Sequence, residues 1–244
     1  KQIWQGLYQH FYNVPEEFTS LPKSLRGKIA DNLSLAALSP ISQLASSDKQ
    51  TIKTLFRLHD GKVIEAVLMN YDRRRTLCIS SQAGCAMGCV FCATGQMGFQ
   101  RHLSSGEIVA QVMYYARLLS ETSEFSKNSE VSRVTNVVVM GMGEPFHNYE
   151  NTMAAIDRLN DADGYNFGAR RFTISTVGLA PSIRRFANEE RQVNLAVSLH
   201  AADDDVRLSM IPVDKRYPIA EVLDACRYYV AKTGRRITFE WALI

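Results

Sequence analysis

The spacing of apolar residues changes from helical to strand-like at about residue 53. Upstream of this point, apolar side chains recur at helical spacing: Ile3, Leu7, Tyr8 and Phe11. Further helical turns are predicted at Pro15 and Ser24, and a loop is predicted around Pro40 and residues 46–48. This part of the sequence therefore predicts a small helical unit over residues 1–52.

Residues 53–75 instead favour β-structure. Residues 54–58 and 63–69 predict a β-hairpin, because the Asp60-Gly61 pair between them is a common hairpin turn. Alternation along the second strand places Glu65 on the face opposite to its apolar neighbours. A carboxylate in that position is more often a surface residue than a catalytic one.

From residue 76 onward, apolar runs alternate with amphipathic helical segments. The predicted strands cover 76–80, 134–140, 171–176, 193–200 and 236–243, and the predicted helices cover 108–116, 153–159, 181–187 and 220–231. Ser104 and Glu107 form a capping pair before the first helix, and residues 121–132 predict a polar loop. Repeated strand–helix units predict an α/β fold whose parallel sheet is either open or closed into a barrel.

Three cysteines lie in the loop after the first of these strands. Cys85, Cys89 and Cys92 form a C-x3-C-x2-C array, with Phe91 just before the last cysteine. Thiols at this density suit a soft metal or an iron–sulfur cluster. Because a [4Fe–4S] cluster has four irons, three thiolates would leave one iron open to a small molecule. The array resembles that of the radical S-adenosylmethionine (SAM) superfamily, in which the open iron binds SAM.

Two other interpretations of the cysteines stay open. A zinc site with three cysteines and one histidine would use His102, the nearest candidate, although it lies ten residues past Cys92. Three buried structural cysteines would need no metal. The density of thiols favours a cluster over zinc, and zinc over packing alone.

Polar side chains stand at the ends of the later strands. One strand leads into a Gly-Met-Gly-Glu-Pro turn, in which Gly143 permits close approach of a ligand and Glu144 can accept hydrogen bonds from an ammonium group. Ser175 ends the next strand, and Ser198 and His200 end the one after it. Because the carboxyl ends of parallel strands share one edge, we expect these side chains around the cysteine loop. A lone serine or histidine at a strand end is usually structural, so the prediction of a binding site rests on all of these residues together.

Composition narrows the class of protein. The 244 residues are 46% hydrophobic and carry a formal net charge of +3, which permits RNA binding without arguing for it. No apolar run is long enough to predict a transmembrane helix, and the first residues lack the apolar core of a signal peptide. Five cysteines, three of them in one loop, favour metal ligation in a reducing compartment over a disulfide framework.

Both ends of the sequence suggest a fragment of a longer protein. The chain begins at Lys1 without a methionine and ends in a strand-like apolar run at Ile244. A strand that ends at the terminus is expected to lead into further structure.

Three motifs together resemble the RlmN/Cfr family of radical SAM RNA methyltransferases. They are the Ser-Ser-Gln-Ala-Gly-Cys run ending at Cys85, the turn that contains Glu144, and Ser-Leu-His ending at His200. The resemblance covers the whole chain and is closer to the RlmN branch, which methylates C2 of an adenine in 23S rRNA and in tRNA, than to the Cfr branch, which methylates C8. It implies a partial (β/α) barrel over residues 76–244, a β-hairpin linker over 53–75, and an RNA-binding helical domain over 1–52.

The resemblance also implies roles for individual residues. The cluster ligands would be Cys85, Cys89 and Cys92. The SAM contacts would be Gly143, Glu144, Ser175, Ser198, Leu199 and His200. Glu65 would be a proton acceptor, and Cys78 would form a transient disulfide with a cysteine near the family's C-terminus. Cys226 matches no family role and is expected to be a structural thiol.

The family's chemistry explains why these parts are needed. An adenine ring carbon is a poor nucleophile, so one SAM first methylates a C-terminal cysteine and a second SAM yields the radical that removes hydrogen from that methyl group. The resulting carbon radical adds to adenine, after which a base and a thiol release the product. The methyl-carrying cysteine and a late asparagine that contacts SAM fall outside this sequence. We therefore expect the chain alone to bind a cluster but not to methylate RNA.

The implied cofactors are a [4Fe–4S] cluster and SAM. The implied partners are 23S rRNA, tRNA and an electron donor such as flavodoxin, with a monomeric, cytoplasmic protein and no membrane. The alternatives are a Cfr-type enzyme, another radical SAM enzyme that acts on a small molecule or peptide, and a non-enzymatic RNA-binding module with structural zinc. Iron and sulfide in the purified protein would separate the cluster from zinc.

Overall fold

The structure of the protein, a computed structural model, describes residues 1–121 and 133–243. Its strands are β1 (Ser39–Ala45), β2 (Thr51–Arg57), β3 (Val63–Tyr71), β4 (Arg74–Cys78), β5 (Gln82–Gly84), β6 (Phe99–His102), β7 (Asn136–Val139), β8 (Phe172–Thr176), β9 (Asn194–Ser198) and β10 (Ile237–Glu240). Its helices are α1 (Gln2–Tyr8), α2 (Lys23–Asn32), α3 (Ala93–Gln96), α4 (Ser105–Glu121), α5 (Tyr149–Asn160), α6 (Ala180–Asn188), α7 (Asp204–Met210) and α8 (Ile219–Thr233).

Eight strands form one mixed sheet in the order β1-β2-β3-β4-β7-β8-β9-β10. The strands from β1 to β4 pair antiparallel, whereas β4, β7, β8, β9 and β10 are parallel neighbours. β5 and β6 form a separate antiparallel pair. The predicted α/β fold with consecutive parallel strands is thus confirmed, and β1 and β10 are the two edges of an open sheet.

The two faces of the sheet differ in chemistry. Pairing registers and alternation place buried apolar residues on one face: Leu68, Leu77, Val137, Phe172, Ile174 and Leu195. Helices α4, α5, α6 and α8 contribute to the same core through Val112, Ile156, Ile183 and Val222. Because side chains alternate along a strand, the residues between these apolar positions point to the opposite, half-buried face.

The amino-terminal part contains more β-structure than the sequence predicts. Helix α1, a 3-10 helix over Pro15–Glu17 and helix α2 confirm the predicted helical turns, and the β2–β3 pair confirms the hairpin. The loop predicted around Pro40 is wrong, because Pro40 lies within β1. Every residue of β1 is exposed, so the strand has no apolar alternation and depends on pairing with β2. The division of the chain at residues 52 and 75 stays a prediction.

Other predicted segments fall partly outside the description. Residues 122–132 of the predicted polar loop, and Ile244, lie outside the described residues. Across the described ranges, no helix is long and apolar enough to cross a membrane.

Candidate active site

The cysteine loop begins at the tip of the small β5–β6 hairpin. The backbone N–H of Cys85 donates to the carbonyl oxygen of Gly98 at 3.1 Å, and Val90 donates to the carbonyl oxygen of Met210 in α7 at 2.9 Å. Gly84 has φ +72°, and a Cβ atom there would lie 1.9 Å from the oxygen of Gly98. Glycine is therefore required where the loop leaves the hairpin.

All three loop cysteines are free thiols; Cys85 is buried, and Cys89 and Cys92 are half-buried. Burial raises the pKa of the Cys85 and Cys89 thiols to about 11, and the neighbouring thiols and Glu144 act in the same direction. Groups that disfavour one another's negative charge are suited to a cation, because a bound metal displaces the thiol protons and neutralises the thiolates.

The residue that a zinc site would need as its fourth ligand makes other contacts. Among residues 1–121 and 133–243, no group of three or more His, Cys, Asp or Glu side chains is arranged to hold a metal ion, which bears equally on zinc and on a cluster. The zinc interpretation would use His102 as its fourth ligand. Nδ1 of His102 instead lies 3.0 Å from Nε2 of Gln82, and its ring contacts those of Phe99 and His147.

The Gly-Met-Gly-Glu-Pro turn after β7 is bonded directly to the segment that enters the cysteine loop. Met142 donates to Oγ of Ser80 at 2.8 Å, and Glu144 donates its backbone N–H to Oε1 of Gln82 at 2.8 Å. Gly143 has φ +102°, and a Cβ atom there would lie 2.5 Å from Cβ of Gln82. The two motifs therefore form one unit that excludes a side chain at position 143.

Glu144 is a buried carboxylate, only 4% exposed. Its Oε1 accepts from the backbone N–H of Phe146 at 3.0 Å, and its Oε2 accepts from that of Val177 at 2.9 Å. Burial raises the pKa of Glu144 to about 7, although these hydrogen bonds oppose the shift. An ammonium group beside this carboxylate would favour the ionised form.

Residues at the carboxyl ends of β8 and β9 complete the candidate site. Oγ of Ser175 lies 3.2 Å from Oγ of Ser198. His200 has φ +61°, and its Nδ1 accepts from the backbone N–H of Ala242 at 2.9 Å. Burial lowers the pKa of His200, which favours the neutral ring with its proton on Nε2. The ring also meets Phe91 of the cysteine loop edge to face, with centroids 5.1 Å apart.

Arg207 in α7 bonds to both turns that follow β8 and β9, and sequence reasoning did not single it out. The side chain is completely buried. Its guanidinium donates to the carbonyl oxygens of Leu199 and Val177 and forms an ion pair with buried Asp214. Helical periodicity does not distinguish a buried arginine from an exposed one, so no sequence signal marks this residue. Gln82 lies on the short strand β5, and sequence reasoning missed its role because its partner Glu144 is 62 residues away in the chain.

Glu65 and Cys78 lie on neighbouring strands, on the half-buried face of the sheet. We call this face, which also carries Thr173, Ser175 and Ser198, the polar face. Val67 is the β3 partner of Cys78 and stands two residues from Glu65, so alternation places all three on one face. Oε1 of Glu65 is 3.0 Å from Nζ of Lys53, in a half-exposed ion pair. Burial raises the pKa of the Cys78 thiol to about 11, and Cys78 has no disulfide partner among the described residues. The other predicted thiol, Cys226, is buried in the core on α8.

The polar face extends across the sheet to the carboxyl-end residues. Successive registers pair Cys78 with Val138, Val138 with Thr173, and Ser175 with Ala196. Alternation therefore places Cys78, Ser175 and Ser198 on the same face. The structure brings the predicted site residues of β3, β4, β8 and β9 to one face, with the cysteine loop and Glu144 at its carboxyl-end edge.

Comparisons with known proteins agree with this geometry. Residues 79–241 match the sequence profile of the radical SAM superfamily. The dual-specificity RNA methyltransferase RlmN 1 of Myxococcus xanthus is 50% identical over 243 residues, which are 100% of this chain and 66% of the relative. A probable dual-specificity RNA methyltransferase RlmN of Roseiflexus castenholzii is 45% identical over 271 residues, covering 100% of this chain and 68% of the relative.

A solved structure gives the same result. The crystal structure of a radical SAM methyltransferase from Sphaerobacter thermophilus superposes with a TM-score of 0.94 at 51% identity, and the match covers 100% of this chain and 69% of that one. The chain thus spans about two thirds of the length of these relatives.

Proposed function

The chain belongs to the radical SAM superfamily and, within it, to the RlmN family, and from this membership we propose that it forms the cluster- and SAM-binding part of an RNA methyltransferase. The reaction is methylation of C2 of an adenine in 23S rRNA and in tRNA, through a methyl-cysteine outside this sequence. The supporting observation is the hydrogen-bonded unit that joins the cysteine loop to Glu144 through Gln82.

The site residues divide into cluster ligands and SAM contacts. Cys85, Cys89 and Cys92 are the proposed ligands of a [4Fe–4S] cluster. The family's cofactors, the reduced cluster and SAM, supply a 5′-deoxyadenosyl radical when both are bound. The spacing of the three cysteines in one loop and the match of residues 79–241 to the radical SAM superfamily support this assignment.

The proposed SAM contacts offer complementary chemistry to an amino acid and a nucleoside. Glu144 accepts hydrogen bonds from the ammonium group, a role supported by its burial and by the backbone donors that fix both of its oxygens. The hydroxyl groups of Ser175 and Ser198 can bond to polar atoms of SAM. Gly143, Leu199 and His200 line the approach, and neutral His200 can donate through Nε2.

Glu65 and Cys78 are proposed to act on the RNA adduct. The Glu65 carboxylate would accept the proton from the adenine ring carbon. Its half-exposed position on the polar face leaves it accessible to an adenine of the RNA. The Cys78 thiolate would attack the sulfur of the methyl-carrying cysteine, so that a disulfide forms, the bond from that sulfur to the adduct carbon breaks, and its electron pair leaves with the product. The raised pKa of Cys78 keeps the thiol protonated until that step, so attack requires loss of the proton to a base.

The remaining parts of the proposal concern partners and location. The amino-terminal segment over residues 1–52, which contains helices α1 and α2 and strand β1, would contact RNA. An electron donor such as flavodoxin would reduce the cluster, and the protein would act as a cytoplasmic monomer. These proposals follow from family membership and from the need for an electron and an RNA substrate.

Methylation of a defined RNA tests the proposal. The full-length protein that contains this chain is reconstituted with iron and sulfide, then incubated with SAM, dithionite and an unmodified tRNA transcript, and the digested nucleosides are analysed by mass spectrometry. We expect 2-methyladenosine from the full-length protein and none from residues 1–244 alone. Finding 8-methyladenosine would show the Cfr-type reaction instead, and finding no methyladenosine from the full-length protein would contradict the proposal.

A further inference from the structure

The amino ends of the parallel strands carry an unusual number of arginines. We call the following residues the amino-end arginine cluster: Arg74, Arg133, Arg170, Arg171, Arg235 and Arg236. They lie at or just before the starts of β4, β7, β8 and β10, and five of the six are exposed, Arg235 being half-buried. In the part of the chain that the structure describes, none of them forms an ion pair with a carboxylate. Arg191, which precedes β9, by contrast forms ion pairs with Asp157 and Glu189.

Two of these arginines donate hydrogen bonds to the same neutral side-chain oxygen. Nη2 of Arg170 and Nη1 of Arg235 each donate to Oε1 of Gln192, both at 3.1 Å. Arg235 also donates to Oδ1 of Asn194 at 2.8 Å. Two guanidinium groups that share a neutral oxygen repel each other, and the described residues supply no carboxylate between them. A phosphate group that bridged both guanidinium groups would remove this repulsion.

A cavity of about 270 Å³ lies at the same edge of the sheet. Arg133, Arg171, Tyr165 and Asn166 are among the residues that line it. The Tyr165 hydroxyl is buried and has no hydrogen-bond partner among the described residues. It is a free donor beside two guanidinium groups, which is the chemistry that an anionic oxygen requires.

The amino ends of the strands are separate from the candidate active site, which lies at their carboxyl ends. Arg171 precedes β8 and Ser175 lies near the end of β8, so the two ends are about 13 Å apart along the strand. An acidic redox protein would also be attracted to arginines, but an electron donor must approach the cysteine loop at the other end of the strands. A folded RNA is large enough to contact both ends of the sheet, and its phosphate backbone provides the repeated anionic groups that several exposed arginines can bind.

We propose that the amino-end arginine cluster is a second RNA-binding surface, which holds backbone phosphates at the edge of the sheet opposite to the candidate active site. The choice of RNA as the partner rests on the proposed function. The surface contributes affinity without reading base sequence, because guanidinium–phosphate contacts carry no sequence information directly.

Salt-dependent RNA binding tests this surface. The dissociation constant of the full-length protein for an unmodified tRNA transcript is measured by fluorescence anisotropy over a series of salt concentrations. We compare Arg170→Gln/Arg235→Gln and Arg133→Gln/Arg171→Gln with the control Arg184→Gln/Arg227→Gln, which removes the same charge from helices α6 and α8. The logarithm of affinity falls as the logarithm of the salt concentration rises. Each amino-end double variant is expected to make this slope less negative by about 1.5, because two phosphate contacts are lost. The control is expected to leave the slope unchanged.

Two results separate failure of this inference from failure of the proposed function. If the unaltered protein binds and methylates the transcript while neither amino-end pair changes the slope more than the control does, the second surface is wrong and the methyltransferase proposal stands. If the unaltered protein does not bind RNA, both proposals fail. Thermal melting of each variant confirms that it is folded before binding is compared.

Discussion

The backbone N–H of Glu144 donates to the side-chain oxygen of Gln82 across 2.8 Å, although 62 residues separate the two in the chain. This bond joins the turn after β7 to the segment that begins the cysteine loop. Because Glu144 also accepts from Val177 after β8, the cluster loop and the turns of two strands form one connected network. A disturbance at any one of these positions is expected to reach both the proposed cluster ligands and the proposed SAM contacts.

Gly143→Ala tests how closely the two motifs pack. The new methyl group would stand 2.5 Å from Cβ of Gln82 in a backbone conformation that side chains rarely adopt. We expect the free energy of unfolding to fall by about 3 kcal/mol in urea titration. Gly168→Ala is the control, because nothing lies within 4 Å of that Cβ position and its φ is not positive. Equal stability of the two variants would show that the close approach at Gly143 is not real.

Glu144→Gln tests the raised pKa of the buried carboxyl. The folded-state pKa of about 7 exceeds the reference value of 4.5, so protonation favours the folded protein. The stability contribution of Glu144 is fully present below pH 4.5 and is lost as the pH rises through 7. Relative to Glu144→Gln, the unaltered protein without SAM is expected to lose about 3 kcal/mol between pH 4.5 and pH 8, measured by urea unfolding.

The exposed carboxylate Glu150 provides the matched control for this pH experiment. Its hydrogen bond to Arg185 lowers the pKa of Glu150, so its linkage has the opposite sign, and its exposure makes the effect small. Glu150→Gln is therefore expected to follow the pH profile of the unaltered protein closely. A Glu144→Gln profile parallel to that of the unaltered protein would contradict the assigned pKa.

Arg207→Met tests the buried arginine that holds the turns after β8 and β9. The substitution leaves Asp214 buried without its partner, which is expected to lower the free energy of unfolding by about 3–5 kcal/mol. SAM affinity, measured by calorimetry, is also expected to fall, since the carbonyl groups of Val177 and Leu199 lose their shared donor.

Two further variants show how much of the stability loss in Arg207→Met comes from leaving the charge of Asp214 buried and unpaired. Arg184→Met breaks an exposed ion pair with Asp224 and is expected to cost less than about 1 kcal/mol. Arg207→Met/Asp214→Leu removes both buried charges and is expected to recover much of the lost stability, but not the SAM affinity. Recovery of both properties would mean that Arg207 has no positioning role.

Some parts of the fold follow from local sequence. Ser104 and Glu107 predict the start of α4, and their reciprocal hydrogen bonds form as expected. The backbone N–H of Ser104 donates to Oε2 of Glu107 at 2.9 Å, and the backbone N–H of Glu107 donates to Oγ of Ser104 at 3.2 Å. Ser175 and Ser198 could be placed together from sequence because parallel strands in register bring their carboxyl ends to one edge. These predictions succeed because each depends on a pattern of a few neighbouring residues.

Other parts depend on contacts that no local pattern contains. The strand β1 has exposed residues throughout and forms by pairing with β2. Gln82 and Arg207 are buried polar residues whose partners lie on other elements. The arginines at the strand starts are spread over more than 160 residues and come together only through the strand order. Their proximity could not be predicted without the topology of the sheet.

The most direct test of the central claim is the iron and acid-labile sulfide content of cysteine variants purified without oxygen, followed by the yield of 5′-deoxyadenosine after addition of SAM and dithionite. We predict about four irons per chain and deoxyadenosine formation for the unaltered protein, and loss of both in Cys85→Ala, Cys89→Ala and Cys92→Ala. Cys78→Ala and Cys226→Ala are expected to retain both, because neither thiol lies in the loop. Full iron content in a loop-cysteine variant, or zinc without iron in the unaltered protein, would contradict the account.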